Sequence, residues 1–349
     1  MKPHEKILTK EEIMIEEKNI LCIYHGNCAD GFGAAWTVWK RFPEAKFHAG
    51  VYGQNPPDVK GKDVVIVDFS YKKDILEDMR KDARSIIILD HHKSAAEDLA
   101  NSKQFSKNWD QHCQNVYQDM CENADVNGAI LYSLFDMNRS GAMIAWDFFH
   151  PDKEPPRLIE HIQDRDLWLF KIKRTREIQA NLFSYPYDFE VWDDLMFRLN
   201  DDDEHISFSC AGAAIERKHH KDVSELIEVT KTIMNIGGHL VWCANIPYTM
   251  ASDACHLMCN QPMSFPSHVL SPADRTDVLP EFAACYYDKR DCRVFSLRSI
   301  GDFDVSEIAK KYGGGGHRNA AGFSVHNGFS GWTLDQQNIQ AIAFERGDV

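Results

Sequence analysis

The feature that most constrains the fold is an apolar run that ends in three polar side chains. Residues 85–89, mostly isoleucine, are followed directly by Asp90, His91 and His92. A run of β-branched and aliphatic residues flanked by charge predicts a strand buried on both faces, as in a parallel sheet. In open α/β sheets, functional groups lie at the carboxyl ends of strands. The pattern therefore predicts an acid and two imidazoles at the functional edge of a parallel sheet.

Two further apolar runs end in the same way. Residues 19–24 lead into His25 and a loop that contains Asp30, and residues 64–67 lead into Asp68. Taken singly, an Asp after a strand often caps a helix, and a His there is often only structural. Three such endings together favour a functional site. Carboxylates mixed with imidazoles suit Mn²⁺, Mg²⁺ or Fe²⁺ better than a structural zinc, which indicates a two-metal hydrolase.

The order of the patterns predicts an α/β protein with two domains. Strands and helices alternate after a charged lead-in at 1–18, which predicts a parallel-sheet domain over 19–200. A polar segment at about 101–127 interrupts it and is either an insertion with its own function or a lid. A helical connector at 201–236 then leads to a smaller α/β domain at 237–349.

Composition limits the classes of partner. The formal net charge of −14 argues against a protein that coats long nucleic acid duplexes and favours small anionic substrates. No apolar stretch approaches the length of a membrane span, and the N-terminus is not signal-like. Ten scattered cysteines without a secretion signal predict reduced thiols. We therefore expect a cytoplasmic protein without a membrane partner.

The second domain contains a glycine-rich string that suits an anionic ligand. Four consecutive glycines at 313–316 precede His317 and Arg318. Glycine leaves backbone N–H groups unobstructed, so a phosphate can approach them closely, and the two side chains add positive charge. A flexible linker would not need the His-Arg pair.

With these motifs in place, the chain resembles the DHH/DHHA1 family of phosphoesterases. That family includes RecJ-like exonucleases, nanoRNA-degrading oligoribonucleases, cyclic-dinucleotide phosphodiesterases and exopolyphosphatase relatives. The matching motifs are His25 to Gly31, Asp68, Asp90 to His92, Asp164, Ser296 to Ser299 and Gly313 to Gly322. The resemblance implies a parallel-sheet DHH domain that a helical connector joins to a DHHA1 domain.

The resemblance also implies roles for individual residues. Asp68 would bridge two metal ions, commonly Mn²⁺, with His25 in the first site. Asp30, His91 and Asp164 would complete the second site. His92 would contact the scissile phosphate, and the predicted catalytic residues are Asp68, Asp90 and His92. The residues implied to bind substrate are Arg298, Ser299, Gly314, Gly315, Gly316, His317 and Arg318.

One departure affects the first metal site. The family's first motif usually reads His-x-x-x-Asp-x-Asp-Gly, whereas this chain is one residue shorter and has Cys28 in place of the first Asp. Three readings stay open: the Cys28 thiolate is a ligand, Asn27 reaches the metal, or the first metal binds weakly.

The predicted function is metal-dependent hydrolysis of short oligonucleotides, such as nanoRNA or linear dinucleotides, from one end. Two metal ions and a water nucleophile would carry the reaction. The alternatives on the same fold are an exopolyphosphatase or a phosphatase acting on 3′-phosphoadenosine 5′-phosphate. A catalytically inactive scaffold is a third alternative, which the presence of the acids and histidines disfavours. A homodimer is left open.

Overall fold

A computed structural model describes residues 16–100, 103–104, 107–122, 128–263 and 278–326. The chain divides into two compact units, Met1–Glu216 and Arg217–Val349. Most of the predicted lead-in, parts of the 101–127 segment and the end of the second predicted domain lie outside the described residues.

The first unit contains a six-stranded parallel sheet with the strand order β2-β1-β3-β4-β6-β5. Its strands are β1 Ile20–His25, β2 Lys46–Gly50, β3 Asp63–Val67, β4 Ser85–Asp90, β5 Lys103–Gln104 and β6 Leu131–Phe135. Both β3 and β4 are buried at every position, as their continuous apolar character requires. The predicted parallel α/β sheet is confirmed.

Helices cover both faces of this sheet. The helices that begin in the first unit are α1 Ala29–Arg41, α2 Lys73–Asp82, α3 Lys93–Asp98, α4 Trp109–Glu122, α5 Gly141–Phe149, α6 Arg157–Asp166, α7 Thr175–Leu182, α8 Phe189–Arg198 and α9 Asp202–Thr230. One core contains Trp36 of α1, and the other contains Leu76 of α2. Helix α4 places Trp109 and Val116 in the first of these cores, so the predicted insertion contains a helix that packs into the domain.

The strand order puts a crevice where the site is expected. The chain goes from β1 to β2 on one side and then crosses to β3 on the other. Strand order reverses at this point, and open α/β sheets bind ligands outside the carboxyl ends of strands at such reversals. His25 ends β1, and Asp68 directly follows β3.

The second unit contains a mixed sheet with the order β11-β12-β10-β9-β8-β7. Its strands are β7 Thr232–Ile236, β8 His239–Asn245, β9 Phe282–Asp288, β10 Cys292–Ser299, β11 Gly315–Gly316 and β12 Ala320–His326, and its helices are α10 Ala251–Cys259 and α11 Val305–Lys311. Strands β8 and β9 are parallel. Helix α11 packs in the core that contains Ala284, and α10 packs in the core that contains Ala283 and Cys285. Because neighbouring strand residues point to opposite faces, the two helices cover opposite faces.

The predicted connector at 201–236 is helical only in part. Helix α9 ends at Thr230, and the final residues form β7, which pairs with β8. Ile233 and Ile236 are fully buried there, so burial in a sheet overrides the helical pattern. Within the described residues, no helix combines the length and the apolar character that a membrane span needs.

Candidate metal centre

Three carboxylates converge on one imidazole at the carboxyl ends of β1, β3 and β4. The His91 Nε2 atom lies 3.0 Å from Asp68 Oδ1, 3.5 Å from Asp30 Oδ2 and 3.6 Å from Asp166 Oδ2. Asp30, Asp68 and His91 are buried, whereas the Asp166 side chain is 26% exposed. Hard oxygen ligands around a histidine are the donor set expected for Mn²⁺, Mg²⁺ or Fe²⁺.

The position of Asp30 depends on two neighbouring helices. Asp30 lies in the first turn of α1, and its Oδ2 and Oδ1 atoms accept hydrogen bonds from Gly141 N (2.6 Å) and Ala142 N (2.9 Å). These amides are at the N-terminus of α5, where the helix dipole favours an anion. A Cβ at Gly141 would lie 2.4 Å from the Asp68 Cβ, so glycine is needed for this close approach. Asp68 itself has a left-handed backbone with φ of 51°.

A second group of ligand atoms shares Asp68. Side-chain atoms of His25, Cys28 and Asp68 all lie within 4.8 Å of one another. His25 Nδ1 is 3.5 Å from Asp68 Oδ2. Among the described residues, this buried Oδ2 atom has no hydrogen-bond partner, as expected for an atom that binds a cation. Cys28 is therefore next to the predicted first metal site, while Asn27 is exposed in a left-handed turn.

The electrostatics of these groups also fit a divalent cation. Burial raises the pKa of Asp30 well above its usual value, and the nearby carboxylates of Asp68 and Asp166 raise it further. Burial alone would lower the pKa of His91, but Asp166, Asp68 and Asp30 outweigh it and raise that pKa. Burial opposes ionisation of Asp68, yet the neighbouring imidazoles of His25 and His91 hold its pKa low. The cluster thus retains protons that a metal ion would replace.

Asp90 orients His92. The Asp90 Oδ1 atom is 2.7 Å from His92 Nδ1 and accepts a 2.8 Å hydrogen bond from the backbone N–H of His91. Asp90 is completely buried. We assign it a positioning role, because its carboxylate fixes the His92 ring with Nε2 on the side opposite to Asp90.

The structure distinguishes two acids on α6. The Asp164 carboxylate accepts hydrogen bonds from the amides of Lys171 and Ile172 and from the Thr175 hydroxyl, at 2.8, 3.0 and 2.6 Å. It therefore organises the loop that follows α6. Asp166, two residues later, is the acid that joins Asp30 and His91 in a potential metal-binding group. The geometry therefore favours Asp166 over the sequence-based choice, Asp164, as a candidate metal ligand.

Tyr52 is a second residue that the sequence reasoning missed. Its ring makes edge-on contacts with His25 (5.5 Å between centroids) and His92 (6.3 Å) and is tilted against Phe69 (4.7 Å). Tyr52 is 53% exposed. It lies two residues after β2, at the same edge of the sheet as the predicted ligands, and this position was the available signal.

The predicted substrate-binding residues lie in the second unit around β10 and the hairpin of β11 and β12. Arg298 donates to Ser252 Oγ (2.9 Å), and Ser299 Oγ donates to Phe303 O (2.7 Å). Arg318 donates to the backbone oxygen of Asp302 at 2.6 Å. These contacts hold Arg298 and Arg318 in defined positions, and their role in binding substrate stays a prediction.

The glycines of the hairpin are also required by its packing. A Cβ at Gly314 would lie 2.1 Å from the backbone oxygen of Gly322, and Gly316 has a positive φ of 139°. His317 N donates to Ala320 O at 2.8 Å and closes the turn. Gly315 pairs with Gly322 in the ladder. Close strand packing is therefore sufficient to explain Gly314 and Gly316, and phosphate binding by this turn is not needed to explain them.

Comparison with known proteins finds a family match within the second unit. Residues 283–344 match the family model of the DHHA1 domain. The chain is 28% identical over 348 residues to the uncharacterized protein R106 of Acanthamoeba polyphaga mimivirus, covering 92% of this chain and 70% of the relative.

Two solved structures of named enzymes are also similar. The pGpG-specific phosphodiesterase PggH from Vibrio cholerae is 12% identical, with a TM-score of 0.38, and the match covers 88% of this chain and 93% of that one. RecJ from Thermus thermophilus, solved with Mn²⁺, is 10% identical, with a TM-score of 0.34, and the match covers 88% of this chain and 49% of RecJ. At these identities neither resemblance defines a substrate.

Proposed function

We propose that this chain belongs to the DHH/DHHA1 family of phosphoesterases, and that it is a metal-dependent phosphodiesterase that hydrolyses short single-stranded oligonucleotides from one end. The observation that carries the proposal is the convergence of Asp30, Asp68 and Asp166 on His91 Nε2 at 3.0 to 3.6 Å. Three acids lie around one imidazole, and one of them, Asp68, is also close to His25 and Cys28. This arrangement matches a pair of neighbouring cation sites.

The residues divide into two ligand sets. We assign Asp30, His91 and Asp166 to one cation, His25 and Cys28 to the other, and Asp68 to both. When bound, divalent cations neutralise charge on the phosphoryl oxygens and lower the pKa of water so that hydroxide is available near neutral pH. We propose Mn²⁺ as the physiological ion, with Mg²⁺ or Fe²⁺ as alternatives, because the donors are mainly carboxylate and imidazole.

His92 is the residue of this chain that we propose to contact the scissile phosphate. The Asp90 carboxylate lies 2.7 Å from His92 Nδ1 and orients the ring. From this position the Nε2 atom of His92 would contact a phosphoryl oxygen, where negative charge develops in the transition state. Tyr52, which contacts both His25 and His92, limits the movement of this ring.

For the second unit we propose that Arg298, Ser299, the turn at Gly314–His317 and Arg318 bind the terminal phosphate or base of the substrate. The support is chemical: two guanidinium groups suit a phosphate. A substrate held by its end favours cleavage from that end. The net charge of −14 leaves little gain from additional phosphates, which favours short chains.

A substrate panel tests the proposal. Purified chain would be loaded with Mn²⁺ and given a linear dinucleotide, a longer single strand, a cyclic dinucleotide, polyphosphate and 3′-phosphoadenosine 5′-phosphate. We expect the highest kcat/KM for the linear dinucleotide and the short strand. Preferential release of phosphate from polyphosphate or from the bisphosphate nucleotide would contradict the proposal in favour of those activities. Asp68→Ala is the matched control for a contaminating nuclease.

A further inference from the structure

We propose that a surface next to Asp166 binds the unpaired bases and phosphates of a single-stranded oligonucleotide, and this inference rests on the proposed phosphodiesterase function. The surface, called here the Arg–aromatic surface, consists of Arg165, Trp168, Phe170, Arg176 and Phe183. All five residues belong to the first unit. Arg165 is adjacent in sequence to Asp166, whose carboxylate lies 3.6 Å from His91 Nε2. The surface and the candidate metal centre therefore share the last turn of α6.

The loop that displays this surface is firmly built. Both carboxylate oxygens of Asp164 accept backbone hydrogen bonds, from Lys171 and from Ile172, and the Thr175 hydroxyl donates to the second of them. The Asp164 backbone oxygen accepts a further hydrogen bond from Leu169 N at 2.8 Å. One buried acid thus determines the path of the loop. A rigid loop loses little conformational entropy when it binds a ligand.

The aromatic rings and the guanidinium groups of the surface pack against one another. Arg165 Cζ lies 5.6 Å from the Trp168 ring centroid and 5.0 Å from that of Phe183. Arg176 Cζ lies 3.6 Å from the Phe170 centroid and 5.8 Å from that of Trp168. Trp168 and Phe170 contact edge to face, with centroids 5.0 Å apart. The arrangement places planar cations and planar rings side by side on one surface.

This arrangement keeps large apolar groups in contact with water. Phe183 is 49% exposed, and the neighbouring Leu169 is 46% exposed. Trp168 and Phe170 also have left-handed backbones, with φ of 56° and 48°. Bulky residues rarely adopt this conformation, and the Asp164 hydrogen bonds hold it in place. The water contact of Phe183 and Leu169 and the strained backbones of Trp168 and Phe170 both oppose stability, as expected for a surface that a ligand covers.

The charge of the segment identifies the ligand as an anion with planar groups. Residues 165–176 contain the five bases Arg165, Lys171, Lys173, Arg174 and Arg176 but only one acid, although the chain as a whole carries −14. Basic side chains bind phosphates, and exposed rings stack on unpaired bases without regard to sequence. Aromatic and basic residues also occur on membrane-binding surfaces. The attachment of this surface to the same turn of α6 as Asp166 favours a substrate strand over a lipid.

Binding can be measured without catalysis. A fluorescently labelled single strand of about six nucleotides would be titrated with the full chain in EDTA, and binding followed by anisotropy. We expect Phe183→Ala to raise Kd about 5- to 100-fold, since one stacked base is lost. Phe183→Tyr keeps the ring and should bind as the unaltered chain does. Phe197→Ala is the matched control, because Phe197 is 80% exposed on α8 and lies outside the surface.

The result that would overturn the proposal is equal binding by Phe183→Ala and Phe197→Ala. A duplex of the same sequence that binds as tightly as the single strand would also overturn it, since paired bases cannot stack on the rings. The proposal would also be overturned if Phe183→Ala lost binding to anionic vesicles but still bound the oligonucleotide. Trp168→Ala is a second variant, with its thermal unfolding measured, and Phe183→Ala alone decides the test if Trp168→Ala does not fold.

A separate assay distinguishes this proposal from the function on which it rests. The Mn²⁺-loaded chain would be given bis(p-nitrophenyl) phosphate, a phosphodiester without nucleobases. No hydrolysis of this compound or of any oligonucleotide would contradict the phosphodiesterase. Anisotropy in EDTA would still report on the Arg–aromatic surface. If the chain hydrolyses the simple diester and Phe183→Ala binds the oligonucleotide as the unaltered chain does, only the proposed role of the Arg–aromatic surface is contradicted.

Discussion

The two groups of candidate metal ligands that share Asp68 differ in chemistry and in environment. Asp30, His91 and Asp166 offer two carboxylates and an imidazole, and α5 amides fix Asp30. His25 and Cys28 offer an imidazole and a thiol, and burial raises the pKa of that thiol. The carboxylate-rich set suits a hard cation. In the other set, a metal ion can bind the Cys28 sulfur only after it displaces the thiol proton. We therefore expect the first group to bind Mn²⁺ more tightly.

The largest expected effect comes from the residue that both groups share. Asp68→Ala removes a ligand from each cation and leaves two positive charges without the carboxylate between them. We expect kcat/KM for a dinucleotide to fall at least about 10³-fold, which corresponds to about 4 kcal/mol of transition-state stabilisation. Circular dichroism would check that the fold is intact. Substantial Mn²⁺-dependent turnover by a folded Asp68→Ala chain would contradict the shared role.

The second prediction separates the two acids of α6. Asp166→Ala should lower kcat/KM about 10- to 100-fold, because it removes one carboxylate from the harder group while Asp30 and Asp68 remain. Asp164→Ala should instead lower the free energy of unfolding by about 1–3 kcal/mol, because buried donors of the loop lose their acceptor. Urea unfolding and steady-state kinetics would be measured for both variants.

The control is Asp164→Asn, which keeps one acceptor oxygen and should be milder than Asp164→Ala. A loss of bound metal in Asp164→Ala that equals the loss in Asp166→Ala would reverse the assignment of these two residues.

The contrast between these acids shows what the sequence could not resolve. Strands β1, β3 and β4 were predictable because apolar runs without polar interruption suit only a doubly covered parallel sheet. Their ends then located His25, Asp68 and His91 at one edge. Asp164 and Asp166 are two residues apart near the end of a helix, and the helix period does not show which one faces the sheet. The hydrogen bonds of Asp164 to the loop after α6 distinguish them, and these are visible only in three dimensions.

Other features of the structure were not predicted from the sequence for comparable reasons. The strand Thr232–Ile236 was not predicted because its pairing with β8 is a tertiary contact. Tyr52 belongs to a loop, so its contact with His25 and His92 depends on a chain path that no periodic pattern reports. Gly141 is the first residue of α5, and its close approach to Asp68 is visible only in three dimensions.

The third prediction uses pH to test the carboxylate-rich group of candidate metal ligands. The pKa values of Asp30 and His91 are raised in the metal-free fold, so these groups stabilise it most when protonated. That stabilisation is lost as pH rises, for Asp30 from about 4 and for His91 from about 6.5 upward. Asp68 has a lowered pKa, so its contribution to the free energy of unfolding does not change above about pH 6.

The measurement is thermal unfolding in EDTA and in Mn²⁺ between about pH 6 and pH 8.5. Mn²⁺ replaces the protons, so we expect the rise in Tm caused by Mn²⁺ to increase with pH. The Asp30→Asn variant should show a smaller pH dependence of this rise. A Tm gain that is constant, or that decreases toward high pH, would contradict the displacement of protons by metal.

The smallest expected effect concerns Cys28. If its thiolate is a ligand, Cys28→Asp should raise Mn²⁺ affinity of the weaker site about 3- to 10-fold, because a carboxylate suits this ion better than sulfur does. Cys28→Ser is the matched control for size. Activity and metal content that do not change in either variant would show that Cys28 is structural and that the weaker site depends on His25 and Asp68.

The most direct test of the central claim is a count of the Mn²⁺ ions bound per chain. Equilibrium dialysis would be followed over a wide range of Mn²⁺ concentration for the unaltered chain and for folded Asp68→Ala. The structure predicts two ions with unequal affinities in the unaltered chain and the loss of at least one ion in Asp68→Ala. A single ion in the unaltered chain, or two ions of unchanged affinity in Asp68→Ala, would contradict a pair of metal sites that share Asp68.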